Sequence, residues 1–274
     1  MDRLKWFVGL VAAFIRRDFL FHWSYKFWFL YEIGSVVSSV LTLYLVGRMF
    51  GDHPPAAVAA YGADYFTFAL VGMAFLDYMW VSMRTFAQQV RMAQFMGTLQ
   101  AMLATPTPPF AVIVGSASYT YLWTAFRSLL YLALGVGALG ARFPAVNVAA
   151  AMLFVAAMVL TFSGIGVASA AMTLYLKQSD PLTSLIGGVS FLFGGIVYPV
   201  ESLPEPLQRV AWTLPMTHAV EGLRRALLLG DSALDLWPHA AVLLLWAALV
   251  FPLSVIILRW VLQVLSREGS FGAY

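Results

Sequence analysis

The sequence predicts an all-α integral membrane protein, and three observations carry this prediction. Of the 274 residues, 61% are hydrophobic and 11% are charged, a composition that cannot give a soluble globule with a wettable surface. The charged residues leave several apolar runs longer than the roughly 18 residues that a membrane helix requires. Short segments of alternating polarity, which would indicate a membrane β-barrel, do not occur.

Six membrane spans are predicted from the apolar runs. They cover residues 27–49, 63–83, 110–139, 146–176, 182–200 and 239–265. Of the 16 lysines and arginines, ten fall on the side of the N-terminus and five on the other side, while Arg127 lies within a span. Because cytoplasmic loops carry the excess of positive charge, we expect both termini in the cytoplasm and a multi-pass protein of the inner or plasma membrane.

Residues 1–26 are predicted to form an amphipathic helix at the membrane interface. The apolar run WFVGLVAAFI is ten residues long, too short to span, and Lys5, Arg16 and Arg17 flank it. No small-residue cleavage site of a signal peptide follows it. Cationic ends and aromatic rings suit a helix in the headgroup region. The alternative is that this run is the first part of one long, tilted first span.

The cytoplasmic connection at residues 84–109 is longer than two neighbouring spans need. Apolar side chains recur in it near helical spacing, at Met92, Phe95, Met96, Leu99, Met102 and Leu103. Pro106, Pro108 and Pro109 then end the helix and stiffen its junction with the next span. The pattern predicts a short helix that docks on a partner, for which unbranched methionines are well suited. The alternative is a helix that rests on lipid headgroups.

The external connection at residues 199–238 mixes prolines with apolar residues and ends in a helical pattern over residues 217–229. This pattern predicts a helix pair that dips back into the outer leaflet. At that depth its charged residues should face each other or water, namely Glu201, Glu205, Arg209, Glu221, Arg224 and Arg225. The alternative is an ordinary loop lying on the outer surface.

The stretches GTLQAMLATP at residues 97–106 and GGIVYPVESLPEPLQRVAWTLPMTHAVEGLRRALLLG at residues 194–230 resemble the type-2 ABC exporter permease family. The likeness covers essentially the whole chain. It implies six spans after an interface helix, a coupling helix that docks on an ATPase, and a re-entrant helical hairpin before the last span. It also implies two permease and two ATPase copies, with the substrate path between the permeases. The chain carries Gln94 and Gln100 where the family usually has acidic residues.

The resemblance assigns roles to two groups of residues. Those expected to couple to the ATPase are Met92, Phe95, Met96, Gly97, Thr98, Leu99, Met102, Leu103 and Pro106. Those expected to form the re-entrant gate are Tyr198, Pro199, Glu201, Leu203, Pro204, Pro215, Glu221 and Arg224.

Several kinds of site are not expected on this chain. A nucleotide-binding P-loop ends in Gly-Lys-Ser or Gly-Lys-Thr, but no glycine precedes Lys5, Lys26 or Lys177. We therefore expect ATP and Mg²⁺ on a separate ATPase subunit and no cofactor here. The four histidines lack the spacing of metal ligands, and there is no cysteine. A net charge of +3 without a basic cluster does not indicate nucleic-acid binding.

Asp77 and Arg127 are predicted to lie within the second and third spans. An unpaired charge there would cost about 3 kcal/mol, so we expect the two side chains to pair. The alternative is that Asp77 binds a proton or cation, as in a secondary transporter. Neither an inverted repeat nor a pair of broken helices accompanies it.

These features predict the permease subunit of an ATP-driven exporter. Because few charged residues lie in the spans, an amphipathic cargo is favoured over a small ion: a lipid-like or drug-like molecule, or a lipid-linked glycan. An ion-coupled secondary transporter or channel is the main alternative, and an intramembrane enzyme is a third.

Overall fold

The computed structural model describes residues 2–51, 54–95, 109–176 and 181–268, and all its regular elements in these ranges are helices. In chain order they are α1 (Asp2–Ser24), α2 (Lys26–Met49), α3 (Ala56–Ala59), α4 (Tyr65–Phe95), α5 (Pro109–Leu139), α6 (Val148–Leu176), α7 (Pro181–Phe193), α8 (Glu205–Ala211), α9 (Pro215–Arg224) and α10 (Trp237–Glu268). A 3₁₀ turn, Val200–Ser202, precedes α8, and a π-helical turn, Arg225–Leu229, continues α9.

Five of these helices, α2, α4, α5, α6 and α10, are long and apolar enough to cross a membrane. They correspond to the predicted spans one to four and six, which confirms the prediction of an all-α membrane protein. α4 differs from its prediction because it continues beyond residue 83 to Phe95. The first part of the predicted cytoplasmic connection is therefore helical.

The fifth predicted span, residues 182–200, is wrong in length. α7 has 13 residues, about 20 Å of helix, whereas the hydrocarbon core of a bilayer is about 30 Å thick. The helix ends at Phe193, where the amide of Gly194 still donates to the carbonyl of Ser190. Gly195 then turns the chain with a left-handed φ of 67°, a conformation that terminates helices. The sequence stays apolar beyond this point, so composition alone does not reveal the break.

α4 and α6 are the most buried of the long helices and form the centre of the bundle. They come close at Gly166, where an added Cβ would lie 2.3 Å from the carbonyl oxygen of Ser82. Gly164 faces α10 instead, with the Phe251 nitrogen 3.1 Å from such a Cβ. These small residues therefore serve helix packing within one chain.

α1 is a helix distinct from α2. Tyr25 interrupts the helical backbone with a ψ of 67°, and α2 begins at the next residue. α1 packs against α5, where an added Cβ on Gly115 would lie 2.6 Å from the ring of Phe14. The alternative of one long, tilted helix does not fit this break.

Candidate functional site

The segment between α7 and α10 folds into two short helices joined by a turn. Pro204 is the residue before α8, and Pro215 is the first residue of α9. At both positions the missing amide hydrogen costs no helical hydrogen bond. The side-chain amide of Gln208 donates to the carbonyls of Glu201 (3.1 Å) and Leu203 (2.7 Å). These bonds fix the chain as it enters α8.

α9 is buried among the long helices. Residues 215–220 are all buried, and the helix packs against α4, α6 and α10. Gly222 allows this approach, because an added Cβ would lie 2.1 Å from the ring of Phe154. The Thr217 hydroxyl donates to the carbonyl of Ala211 at 2.6 Å and closes the turn after α8. Burial of this kind does not fit a loop lying on the outer surface, although most of α8 is exposed.

Arg224, at the end of α9, is 2% exposed and donates to three backbone carbonyls. Its Nε bonds the oxygen of Phe68 (3.2 Å), Nη1 that of Gly195 (2.6 Å) and Nη2 that of Ile196 (2.5 Å). The guanidinium carbon also lies 3.5 Å from the centre of the Phe68 ring. The planar fork of donors thus satisfies the carbonyls of Gly195 and Ile196, which the end of α7 leaves without helical partners, and reaches α4 through the carbonyl of Phe68.

A second contact joins the same elements. The hydroxyl of Tyr65, the first residue of α4, donates to the carbonyl of Val197 at 2.8 Å. Gly72, two turns further along α4, has room only for a hydrogen, because an added Cβ would lie 2.0 Å from the oxygen of Ile196. The turn after α7 is therefore held between α4 and α9. We call Tyr65, Gly72, Gly195, Ile196 and Arg224 the turn clamp.

Glu221 lies one turn before Arg224 and accepts a hydrogen bond from the hydroxyl of Tyr61, at 2.6 Å. Burial raises the pKa of Glu221, while the hydrogen bond from Tyr61 and the charge of Arg224 partly oppose that effect. Burial, followed by the charge of Glu221, also raises the pKa of Tyr61. Sequence reasoning missed Tyr61 because it stands in an unremarkable connection between α3 and α4.

The other charged residues of the predicted helix pair have different surroundings. Arg225 pairs with Asp231 at 2.6 Å. Glu201, Glu205 and Arg209 are exposed. Of the remaining gate candidates, Pro199 and Pro215 are buried, Tyr198 and Leu203 are partly buried, and Pro204 is exposed. The structure therefore places Glu221 and Arg224 about one turn apart on α9 and leaves Glu201 on the surface.

Two histidines that look scattered in the sequence meet beside α9. The Nδ1 atoms of His218 and His239 lie 3.0 Å apart, and Nε2 of His218 lies 2.8 Å from the carbonyl oxygen of Trp212. Because a carbonyl only accepts, Nε2 of His218 carries the proton and its Nδ1 accepts from His239. Burial lowers the pKa of His218, which favours this neutral form.

Asp77 and Arg127 are placed side by side in α4 and α5. Nη2 of Arg127 lies 3.1 Å from Oδ2 of Asp77, and both side chains are about a quarter exposed. The geometry is that of an ion pair without a well-directed hydrogen bond between these two atoms. Each charge therefore has a partner at a depth where an isolated charge is costly.

Glu32 is held by two indole groups. Trp28 donates to Oε1 at 3.0 Å, and Trp123 donates to Oε2. His22 of α1 lies 3.9 Å from the same carboxylate. The cluster therefore joins α1, α2 and α5.

The candidate coupling residues lie at the other end of α4. Met92 and Phe95 belong to its last turn and a half. Met96, Gly97, Thr98, Leu99, Met102, Leu103 and Pro106 lie outside the described residues. α4 rises by about 45 Å between Tyr65 and Phe95, at 1.5 Å per residue. One continuous helix thus connects the turn clamp with the first part of residues 84–109, which we call the coupling segment after its predicted role.

Comparison with known proteins gives several relatives. The Probable multidrug ABC transporter permease YbhR of Escherichia coli (strain K12) is 27% identical over 150 residues, covering 52% of this chain and 39% of that protein. Nodulation protein J of Neorhizobium galegae is 27% identical over 159 residues, covering 58% of this chain and 53% of that protein. Nodulation protein J of Rhizobium leguminosarum bv. viciae is 24% identical over 231 residues, covering 83% and 86%. The matched part is therefore less than two thirds of the first two relatives.

A sequence model of the family described as ABC-2 type transporter matches residues 10–228. The match extends from α1 through the π-helical turn after α9, so it includes four of the five long helices, α7, and the turn clamp. Members of this family form the membrane permease component of ABC transporters and work with an ABC ATPase subunit. The resemblance seen in the sequence is confirmed, and this chain belongs to the ABC-2 type transporter family.

Proposed function

We propose that this chain is the membrane subunit of an exporter that carries an amphipathic substrate outward, driven by a separate ATPase. The substrate is a lipid-like or drug-like molecule or a lipid-linked glycan. The observation that carries the proposal is the buried return segment, in which Arg224 holds the turn after the half-length α7. Such a segment, within a family match of 219 residues (10–228), suits a seal at the exit side of a permease.

The two ends of α4 support the outward direction that we propose. With both termini in the cytoplasm, the turn clamp lies at the external end of α4 and the coupling segment at its cytoplasmic end. Force applied to the coupling segment by an ATPase would therefore reach the seal through a single helix. The name of the Escherichia coli relative, a probable multidrug permease, supports a drug-like or lipid-like cargo.

The coupling segment is proposed to dock on the ATPase through its apolar stripe. ATP and Mg²⁺ are bound by that partner, because the sequence holds no P-loop. At the other side of the membrane, α1 is proposed to lie in the headgroup region of an inner or plasma membrane. Its exposed side chains include both apolar rings and basic groups, among them Trp6, Phe19, Trp23, Arg16 and Arg17.

A second permease copy completes the proposed transport path. α7 presents exposed apolar side chains at Leu185, Phe191 and Leu192, together with Gly188, which has nothing within 4 Å of an added Cβ. Together they form a face on which a second helix can approach closely. The ion-coupled alternative is less well supported, since its candidate group, Asp77, is neutralised by Arg127.

The test is substrate movement in inverted membrane vesicles that contain the full chain and its co-expressed ATPase. The probe is a fluorescent amphipathic dye. Accumulation that requires ATP hydrolysis and persists with a protonophore supports the proposal. Accumulation that needs an ion gradient and no ATP would favour the secondary transporter.

A further inference from the structure

Two imidazole rings meet beside Trp212, the residue that follows α8. His218 lies in the first turn of α9 and His239 in the first turn of α10, 21 residues apart in the sequence. Their Nδ1 atoms lie 3.0 Å apart, and the ring centres are separated by 5.2 Å. Spacing along the sequence does not indicate a metal site here, because only the fold brings the two residues together.

The separation of the two nitrogens fits that of neighbouring ligands on one metal ion. A histidine nitrogen binds such an ion at about 2.0 Å, so nitrogens 3.0 Å apart subtend an angle of about 95° at the ion. Neighbouring ligands of square-planar copper(II) are about 90° apart, whereas a tetrahedral zinc site would place the nitrogens about 3.3 Å apart. Copper(II) also binds nitrogen ligands most tightly among the divalent first-row metals. The pair therefore suits copper(II).

The orientation of His218 is fixed by its other ring nitrogen. Nε2 lies 2.8 Å from the carbonyl oxygen of Trp212. Because that oxygen only accepts, Nε2 carries the hydrogen and Nδ1 keeps its lone pair. Histidines that bind metals typically donate their second N–H to a carbonyl or carboxylate in this way. His218 therefore presents Nδ1 towards His239 in the form that a metal ion requires.

The surroundings of the pair leave room for solvent ligands. His218 is 8% exposed, but His239 is partly exposed, so an ion and its waters can reach the pair from that side. Within the described part of the chain, no third histidine or carboxylate completes a larger group of ligands. Arg225 acts electrostatically on His239, but it is paired with Asp231 at 2.6 Å, so its charge is largely balanced. Water molecules would therefore fill the remaining positions around the ion.

We propose that His218 and His239 bind one copper(II) ion between α9 and α10. The ion takes the place of the hydrogen that His239 donates to His218, and that proton moves to Nε2 of the His239 ring. Two coordinate bonds then replace one hydrogen bond between the buried α9 and the start of the last long helix. This site is independent of the proposed export function, and it holds for any substrate.

The experiment is electron paramagnetic resonance of the full chain, purified in detergent without a histidine tag and titrated with copper(II) sulfate. We expect a single bound copper(II), with a signal split by two imidazole nitrogens. His218→Gln keeps an N–H donor towards Trp212 and removes Nδ1, while His239→Asn keeps an N–H donor towards His218. Each variant should bind copper(II) at least tenfold more weakly. His22→Gln removes an imidazole from α1 and is the matched control, which should bind as the parent does.

Several outcomes would overturn the proposal. A signal without two imidazole nitrogens, or unchanged copper binding in His218→Gln or His239→Asn, would mean that the pair forms a hydrogen bond only. An equal loss in His22→Gln would indicate adventitious binding shared among the histidines. Zinc binding as tight as copper binding would contradict the square-planar arrangement.

The variant at the partly exposed position keeps the test decisive. If His218→Gln fails to fold, His239→Asn decides the matter, because it preserves the hydrogen bond between α9 and α10. The assay contains neither an ATPase nor a transported substrate, so its failure is distinct from failure of the exporter proposal.

Discussion

Nη2 of Arg224 lies 2.5 Å from the carbonyl oxygen of Ile196, so a side chain at the end of α9 holds the turn that ends α7 after 13 residues. Three carbonyls and one aromatic ring surround this guanidinium. In the interior of a membrane protein a broken helix is tolerated only when protein groups satisfy its free backbone. Arg224 supplies that satisfaction.

Removal of this guanidinium should destabilise the chain. Arg224→Met leaves the carbonyls of Gly195 and Ile196 without donors, and we expect a loss of about 3 kcal/mol or more in unfolding free energy. The measurement is thermal unfolding of the purified chain in detergent. Arg209→Met, an exposed arginine of α8, is the matched control and should change little. Equal melting temperatures for the two variants would contradict the role given to Arg224.

A methyl group at Gly72 should have a similar effect from the other side of the turn. The added Cβ would lie 2.0 Å from the oxygen of Ile196 and 2.9 Å from Nη2 of Arg224. We expect Gly72→Ala to cost about 1–3 kcal/mol, because the neighbour at 2.0 Å is backbone. Gly137→Ala on α5 meets nothing within 4 Å and should be neutral or stabilising by up to about 1 kcal/mol. A stable Gly72→Ala variant would mean that α4 and the turn are not packed this closely.

The sequence predicts the long helices well, because each is an uninterrupted apolar run. It does not predict the end of α7, since residues 194–200 remain apolar and the break depends on the backbone of Gly195. The pair of Asp77 and Arg127 is foreseeable from the cost of isolated charges in a bilayer. The partners of Glu221 and His218 come from α3–α4 and α10, distant in sequence, and no local pattern indicates them.

Stability should depend on pH through Glu221. Burial raises the pKa of Glu221 in the folded chain, so the folded state binds this proton more readily than the unfolded state. The resulting stabilisation is complete below the unfolded pKa and is lost as pH rises through the folded pKa. Glu221→Gln should remove this dependence and melt higher than the parent at pH 8. Melting curves from pH 4 to 8 test it, with the exposed Glu205→Gln as control.

Tyr61→Phe gives an independent check on the same group. It deletes the hydrogen bond that opposes the rise in the pKa of Glu221, so the pH-dependent loss of stability should move to higher pH. A Glu221→Gln variant whose melting temperature follows that of the parent at every pH from 4 to 8 would contradict this account of Glu221.

Variants of Asp77 and Arg127 distinguish a structural ion pair from a cation-binding site at Asp77. Asp77→Asn leaves a positive charge unpaired in the bundle and should cost about 3 kcal/mol. The double variant Asp77→Asn/Arg127→Gln removes both charges and should recover most of that loss, with transport retained. Unfolding free energies and dye accumulation in inverted vesicles give the two readouts. A double variant that is stable but inactive would assign Asp77 a role in coupling to protons or cations.

The most direct test of a permease driven by a separate ATPase is to purify the full, tagged chain from its native membrane. The measurement is the rate of ATP hydrolysis by the proteins that co-purify with it. The parent chain should retain a P-loop ATPase and its activity. Leu99→Asp places a charge on the predicted docking stripe and should lower retention at least tenfold, since burying an unpaired charge costs several kcal/mol. Gln100→Glu, in the same segment, introduces the acidic residue that the family usually carries, and it should retain the partner. A parent chain that retains no ATPase, or a Leu99→Asp variant that retains it fully, would contradict the account.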